Sequence, residues 1–529
     1  MRRRHFLTGA ASIIGARAGR ATAADKTASV LRFVPQADLT VIDPVLTTAY
    51  ITRTHATMVW DQLYGIDSQL QPQPQMVAGH TLENDGQLWT FTLRDGLRFH
   101  DGEPVRGRDC VASIKRWAAR DPMGQALLQR VADMTALDER RFSIRLNRPF
   151  GLLLTCLAKL GPPALVIMPE RLAETDPFKS IPEAIGSGPF RFVANEHVAG
   201  SQVVYARNTD YVPRPDGTPD WLAGPKIVHF DRVEWHVMPD QGTAAEALMN
   251  GEMDWWENPS NDILPLLARN SDVRLENGSR LGTMGTLVFN HLFPPFDKVA
   301  MRRLILEATS QADFMTAAAG TDRSLWRDGV GFFTPGTPMA SDVGLDALTR
   351  PARDPASLKQ ALSDAGYQGE RVVLMAGSDL PGQFAQDAVA LDALRKLGVN
   401  VDYQVMDWGT LVQRRSSKAS PDKGGWNMFI TTWAGLDMAT PLTNQTLRAN
   451  GAKAWFGWPD LPNLQALTDA WTDAPDLATA QKIAADIQRT AMELVPYLPT
   501  GQYFSRTACR RDIVDLIPGQ YVFWNVRRA

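Results

Sequence analysis

The chain has 529 residues, 44% of them hydrophobic, with 55 Lys and Arg against 58 Asp and Glu. That length and apolar content support two or three domains with well-filled cores. The mildly acidic, evenly mixed charge argues against a nucleic-acid partner and against anionic membrane surfaces.

The chain opens with Arg2, Arg3, Arg4 and His5, then Phe6 and Leu7, a moderately apolar run to Ala18, and the small residues 21–24 (ATAA). A basic start, a short apolar region and a small-residue end predict an export signal over residues 1–24, cut near Ala23 or Ala24. Arg3 and Arg4 ahead of Phe6 and Leu7 resemble the twin-arginine export signal. The first cysteine is Cys110, far from the cut, so no lipid anchor is expected and the mature chain is predicted to be periplasmic. Residues 1–24 hold five arginines and no acid, so removing them leaves 50 basic against 58 acidic residues, a net charge of about −8. No later stretch is long and apolar enough to span a bilayer. Cys110, Cys156 and Cys509 form no CxxC or Cys/His cluster and read as buried thiols.

Beyond the signal the pattern is mixed α/β. Trp89, Phe91 and Leu93 alternate with threonines, which predicts a half-buried strand. Leu97 and Phe99 continue the alternation past Asp95-Gly96, so a hairpin is expected there. Residues 107–119 predict an amphipathic helix; Phe142, Ile144 and Leu146, and Val233, Trp235 and Val237, predict further strands. Helices are expected at 243–250, 299–309 and 357–365. The clearest unit is 371–405: an apolar strand from Val372, a helix over 384–397 closed by Gly398, and a strand from Val399 to Val405. This spacing predicts a right-handed crossover onto a parallel sheet.

Six stretches, in order, resemble the large peptide-type solute-binding proteins of ABC importers, the extracellular family 5. They are residues 88–102 (LWTFTLRDGLRFHDG) with Glu103-Pro104, 185–192 (IGSGPFRF), 206–211 (ARNTDY), 247–254 (ALMNGEMD), the set Phe289, Asn290, 294–296 (PPF), Arg302 and Arg303, and 359–367 (KQALSDAGY). The resemblance implies a two-lobed, hinged periplasmic-binding-protein fold with an inserted domain. Lobe I is expected from 25–70, 186–281 and 501–529, the inserted domain from 71–185, and lobe II from 282–500. It also implies a receptor that captures a peptide or similar solute and hands it to a membrane permease, as a monomer and without a cofactor. A non-peptide solute on the same fold (an aromatic acid, opine, sugar or metal chelate) stays open. A secreted hydrolase is a minor alternative, since no GxSxG or HExxH appears. Arg94, Asp95, His100 and Asp101 read as turn residues, and 186–189 (GSGP) as a tight inter-domain turn.

The clue to the cleft is tryptophan, 15 residues against 9 tyrosines. Rigid aromatic faces bind flat or apolar groups at low entropic cost. Trp255, Trp408, Trp433, Trp455 and Trp458 fall at strand ends or in loops and are candidate ligand contacts, with Tyr50, Asn290, Ala434 and Tyr503 beside them. The peptide binders carry an Asp three residues after the tryptophan that matches Trp433, and it pairs with the peptide amino terminus. Here Asp437 stands one residue later, which leaves recognition of a free amino terminus open. Arg415 lies where some peptide binders place a ligand-contacting arginine, so either carboxylate binding or a solvated surface position is expected for it.

Overall fold

The computed structural model describes residues 29–349 and 355–529; the expected export signal, with Arg3 and Arg4, lies outside them. The chain builds three larger sheets. The first has seven strands, drawn from distant parts of the sequence. Val30–Val34 is central, parallel to Arg232–His236 on one side and to Trp255–Trp256 on the other. Gln202–Arg207 and Phe190–Phe192 extend one flank antiparallel, and Arg506–Arg510 and Val273–Asn277 the other. Its core is aromatic, with Phe33 edge-on to Trp255 and Phe523 at 5.1 and 5.0 Å.

The second sheet has six strands. Val372–Gly377 runs parallel to Val401–Met406 and to Met428–Ala434, and Thr283–Phe289 and Tyr497–Tyr503 continue it antiparallel. The crossover expected at 371–405 is present. Helix Pro381–Leu397 joins the two parallel strands, starts on the proline and stops at Gly398, whose φ of 92° suits only a residue without Cβ strain.

The third sheet is antiparallel, in the order Val77–Glu83, Leu88–Leu93, Arg141–Leu146, Val131–Ala136. Phe91 stacks on Phe142 at 5.0 Å, and helix Gly107–Ala118 packs beside them. One expectation fails here. Leu88–Leu93 pairs with Val77–Glu83, not with 97–99, and Arg98 makes only an isolated bridge to Pro104. Leu97 and Phe99 are apolar because they drop into this core, which imitates strand alternation without a ladder. The three cysteines are buried and free, as read from the sequence. His100 and the 186–189 turn are structural: the His100 N–H donates to the Gly186 carbonyl at 2.8 Å, and the Gly188 N–H to that of Val59 at 2.9 Å.

The third sheet is fastened to the first by buried charge. Arg116, on the helix over the antiparallel sheet, reaches Asp43 at 2.8 Å with neither side chain exposed. Asp43 also accepts the N–H of Ile181 at 2.9 Å. Between the first two sheets the chain crosses at 278–282 and again at 504–505. The crossings touch, the Gly278 N–H donating to the Ser505 carbonyl at 3.0 Å. Gly282, at φ 58°, has the Tyr503 carbonyl 2.6 Å from where a Cβ would stand, so no side chain fits.

Candidate functional site

The seven- and six-stranded bodies face one another across three adjoining cavities of about 120, 30 and 360 Å³, all bordered by Gln36 and Leu380. The first lies against the two crossings, at Gly282, Tyr503 and Ser505. The last lies where Pro35 and Asp38 oppose Asp407 and Trp408. These walls are strand ends and the loops after them, where α/β folds place ligands.

Helix Tyr50–Val59 is buried along nearly its whole length and brings Tyr50 and Arg53 to the first cavity. The Tyr50 hydroxyl donates to Asp437 Oδ2 at 2.5 Å and accepts the Ala434 N–H at 2.6 Å. The other Asp437 oxygen rests on Gly161, 1.8 Å from where a Cβ would stand, so a side chain at 161 would displace the acid. Asp437 is thereby walled in and lines none of the three cavities. Burial pushes its pKa up, with Arg53 and the Tyr50 hydroxyl pulling the other way.

Arg415 follows the short helix Trp408–Arg414, which Asp407 caps by accepting the Thr410 N–H at 2.9 Å. It is not a solvated surface residue: its exposure is 2%. Its guanidinium lies over Phe456, Trp455 and Trp408 at 4.8, 5.3 and 5.7 Å. One hydrogen bond reaches it, from Nη2 to Thr48 Oγ1 at 3.0 Å, and Nε has no partner among the described residues. It forms no ion pair among those residues, and burial lowers its pKa to about 9, still protonated at neutral pH. A buried arginine without an acid is expensive unless an anion arrives.

Glu257, Arg53 and Gln383 complete the polar lining, and sequence reasoning missed all three. Glu257 follows strand Trp255–Trp256 and accepts both the backbone N–H of Gln36, at 2.8 Å, and its side-chain amide, at 3.1 Å. Burial pushes it up to about 7 against those bonds and the charge of Arg53. Arg53 lies over the Tyr50 ring at 4.5 Å. Gln383, in the first turn of Pro381–Leu397, borders two cavities with both amide atoms unpartnered among the described residues.

The structure brings Tyr50, Trp408, Arg415, Trp433, Ala434 and Tyr503 to these cavities. Others stand elsewhere. Trp255 is packed in the first sheet's core, its indole N–H donating to Thr507 at 2.7 Å, and borders a separate cavity of about 140 Å³ beside Tyr521; strand alternation turns Trp256, not Trp255, to the cavity beside Trp408. Asn290 is buried and spent on the Trp426 carbonyl and the Leu292 N–H, at 2.8 and 3.1 Å. Trp458 packs on Trp426 at 5.9 Å. Trp455 stands behind Trp433 at 5.2 Å, touching Arg415 and lining none of these three cavities.

Two α/β bodies joined by paired crossings, with a polar and aromatic cleft between them, make this a two-lobed binding protein of the periplasmic type. The chain belongs to the bacterial extracellular solute-binding proteins of family 5, whose middle-region model matches residues 71–454. It is therefore a solute-binding receptor of an ABC transporter. A probable peptide ABC transporter periplasmic-binding protein of Sinorhizobium fredii is 38% identical over 97% of this chain and 95% of its own. The glutathione-binding protein of Salmonella typhimurium is 24% identical over 75% of this chain and 73% of its own. Among solved structures, an Agrobacterium binding protein in complex with agropinic acid superposes with a TM-score of 0.78 at 21% identity, covering 94% of this chain and 99% of that one. A Pseudoalteromonas dipeptide-binding protein in complex with Met-Leu gives 0.77 at 19% identity, covering 94% and 100%. The family's receptors work outside the cytoplasm, and among the described residues no helix is long and apolar enough to cross a membrane.

Proposed function

We propose that this receptor closes on a carboxylated organic solute, a peptide or a peptide-like acid, and that Arg415 is its carboxylate anchor. One observation carries the reading: a fully buried guanidinium, boxed by three aromatic rings, borders a cavity and has no acid of its own. A ligand carboxylate accepts its free N–H groups while Trp408 and Trp433 cover the adjoining apolar surface. The S. fredii relative's name and the Met-Leu complex support a peptide. The enclosure of Asp437 and the agropinic acid complex support a non-peptide acid as the second reading.

Residues 25–70, 186–281 and 501–529 are taken as one lobe, 71–185 as an inserted domain and 282–500 as the other lobe. We set the return crossing at 504–505, since Tyr497–Tyr503 stays in the six-stranded sheet. The touching crossings then act as the hinge, and a ligand that contacts both lobes only when they are shut draws the receptor closed. The protein acts as a monomeric receptor, not an enzyme, delivered to the periplasm by the twin-arginine route.

Native mass spectrometry of the purified protein identifies the carried solute, and calorimetry with that solute compares wild type with Arg415→Met. Affinity should fall by about 2–4 kcal/mol, while unfolding without solute stays unchanged or moves up, since the substitution removes an unpaired buried charge. Wild-type affinity in the variant refutes the anchor.

A further inference from the structure

The charges around the cleft are unevenly committed. Arg53 borders the first cavity and Arg415 the second, and the two cavities share Tyr50, Gln383 and Thr432. Arg53 is 9% exposed, lies over the Tyr50 ring, and forms no ion pair among the described residues. Both nearby acids feel the charge of Arg53 without pairing with it, and their hydrogen bonds come from other groups. Asp437 takes the Tyr50 hydroxyl on one oxygen and is covered by Gly161 on the other. Glu257 takes two N–H groups of Gln36. The cleft therefore offers two guanidinium forks to a ligand, and the acid best placed by sequence to meet an ammonium is closed off.

Building on the receptor reading above, we propose that the ligand is a dicarboxylate without a free α-amino group, one carboxylate seated on Arg53 and the other on Arg415. An N-acylated acidic amino acid or peptide has this chemistry; a simple zwitterionic dipeptide does not. Planar carboxylates match the arginine fork with two parallel hydrogen bonds, and each pairing relieves a cation held out of water. Gln383, with both amide atoms unpartnered between the two cavities, supplies a neutral donor and acceptor for the amide that joins the two acids. An N-terminal ammonium would instead stand beside Arg53, and Glu257, the acid that borders the same cavity, already accepts two N–H groups of Gln36.

The test is isothermal calorimetry and thermal denaturation with a panel that varies the acetyl group and the side-chain carboxylate independently: N-acetyl-Glu-Phe, Glu-Phe, N-acetyl-Ala-Phe and Ala-Phe. N-acetyl-Glu-Phe should bind wild type most tightly, and Arg53→Met and Arg415→Met should each weaken it by at least ~30-fold. Removing the side-chain carboxylate, as in N-acetyl-Ala-Phe, should cost a similar factor in wild type and little in whichever variant lacks the matching arginine. Arg53→Lys keeps the charge without the fork and should fall between, which guards against a fold defect in the methionine variant. Tighter binding of Ala-Phe, or no stabilisation by N-acetyl-Glu-Phe, overturns the proposal. Ala-Phe binding that needs Arg415 but not Arg53 would overturn it while leaving the receptor and its anchor standing.

Discussion

Glu257 provides a stability test whose sign follows from its surroundings. It is 2% exposed and bound by Gln36, with Arg53 and Tyr521 as the other charged or titratable groups facing it. Burial raises its pKa from 4.5 to about 7, so between those values the folded protein holds a proton that the unfolded chain has released. A raised acid stabilises the fold below its unfolded pKa, and this contribution is lost as pH climbs through the folded one. At about 1.4 kcal/mol per pH unit the total is about 3 kcal/mol, in place at pH 4.5 and gone above about pH 7. Histidines work the other way. His55 and His291 are held at about 3 and His100 at about 4 by burial, so they add stability as pH rises towards 6.5. A raw stability profile mixes the two, and the comparison with Glu257→Gln isolates the acid. The substituted amide keeps an oxygen for the Gln36 backbone N–H, and the Gln36 side chain can turn to meet the new NH₂. Urea denaturation without solute should find the two proteins close at pH 5 and the variant more stable by about 3 kcal/mol at pH 8. Parallel curves across that range would mean that Glu257 is ionised in the fold as freely as in the unfolded chain, and would refute the reasoning.

Trp408 is half-buried at the cleft wall, so Trp408→Ala should weaken solute binding by about 1–3 kcal/mol and leave thermal unfolding near wild type. Trp433 is 2% exposed with Trp455 behind it at 5.2 Å, so Trp433→Ala should also destabilise the solute-free protein, by about 3–5 kcal/mol; calorimetry of both variants separates the two roles. Arg116→Ala strands Asp43 without its counter-charge and should cost about 3–5 kcal/mol in denaturant unfolding; a loss under about 1 kcal/mol would mean that the pair is solvated. Replacing Arg3 and Arg4 by lysine should leave uncleaved precursor in the cytoplasm on cell fractionation, and normal periplasmic accumulation would remove the twin-arginine assignment.

Local periodicity carried the elements because each answers to neighbours in sequence. The 371–405 unit was legible from Val372, Gly398 and Val401 alone, since strand, helix stop and strand each leave a short-range mark. The expected hairpin at 95–99 failed because alternation marks which side chains are buried, not which strand they pair with, and Leu97 and Phe99 are buried without a partner strand. The cleft shows the same boundary. Trp408 and Trp433 were named by residue type at strand ends and Arg415 by resemblance to the peptide binders, and all three border the cleft cavities. Trp255 was named, yet Trp256 borders the cavity beside Trp408 and Trp255 a separate one, because a one-residue step reverses the face of a strand and two adjacent tryptophans do not say which one meets the cleft. Arg53 and Glu257 left no local mark at all. An arginine in a ten-residue helix reads as a surface charge, and only the packing of both lobes around that helix makes it a buried cation. The commitment of Asp437 is also non-local: Tyr50 is 387 residues away in sequence, and Gly161 too arrives from a distant part of the chain. What decides ligand chemistry here is which charges are already spent, and spending is a property of contacts between segments that the chain brings together only when folded.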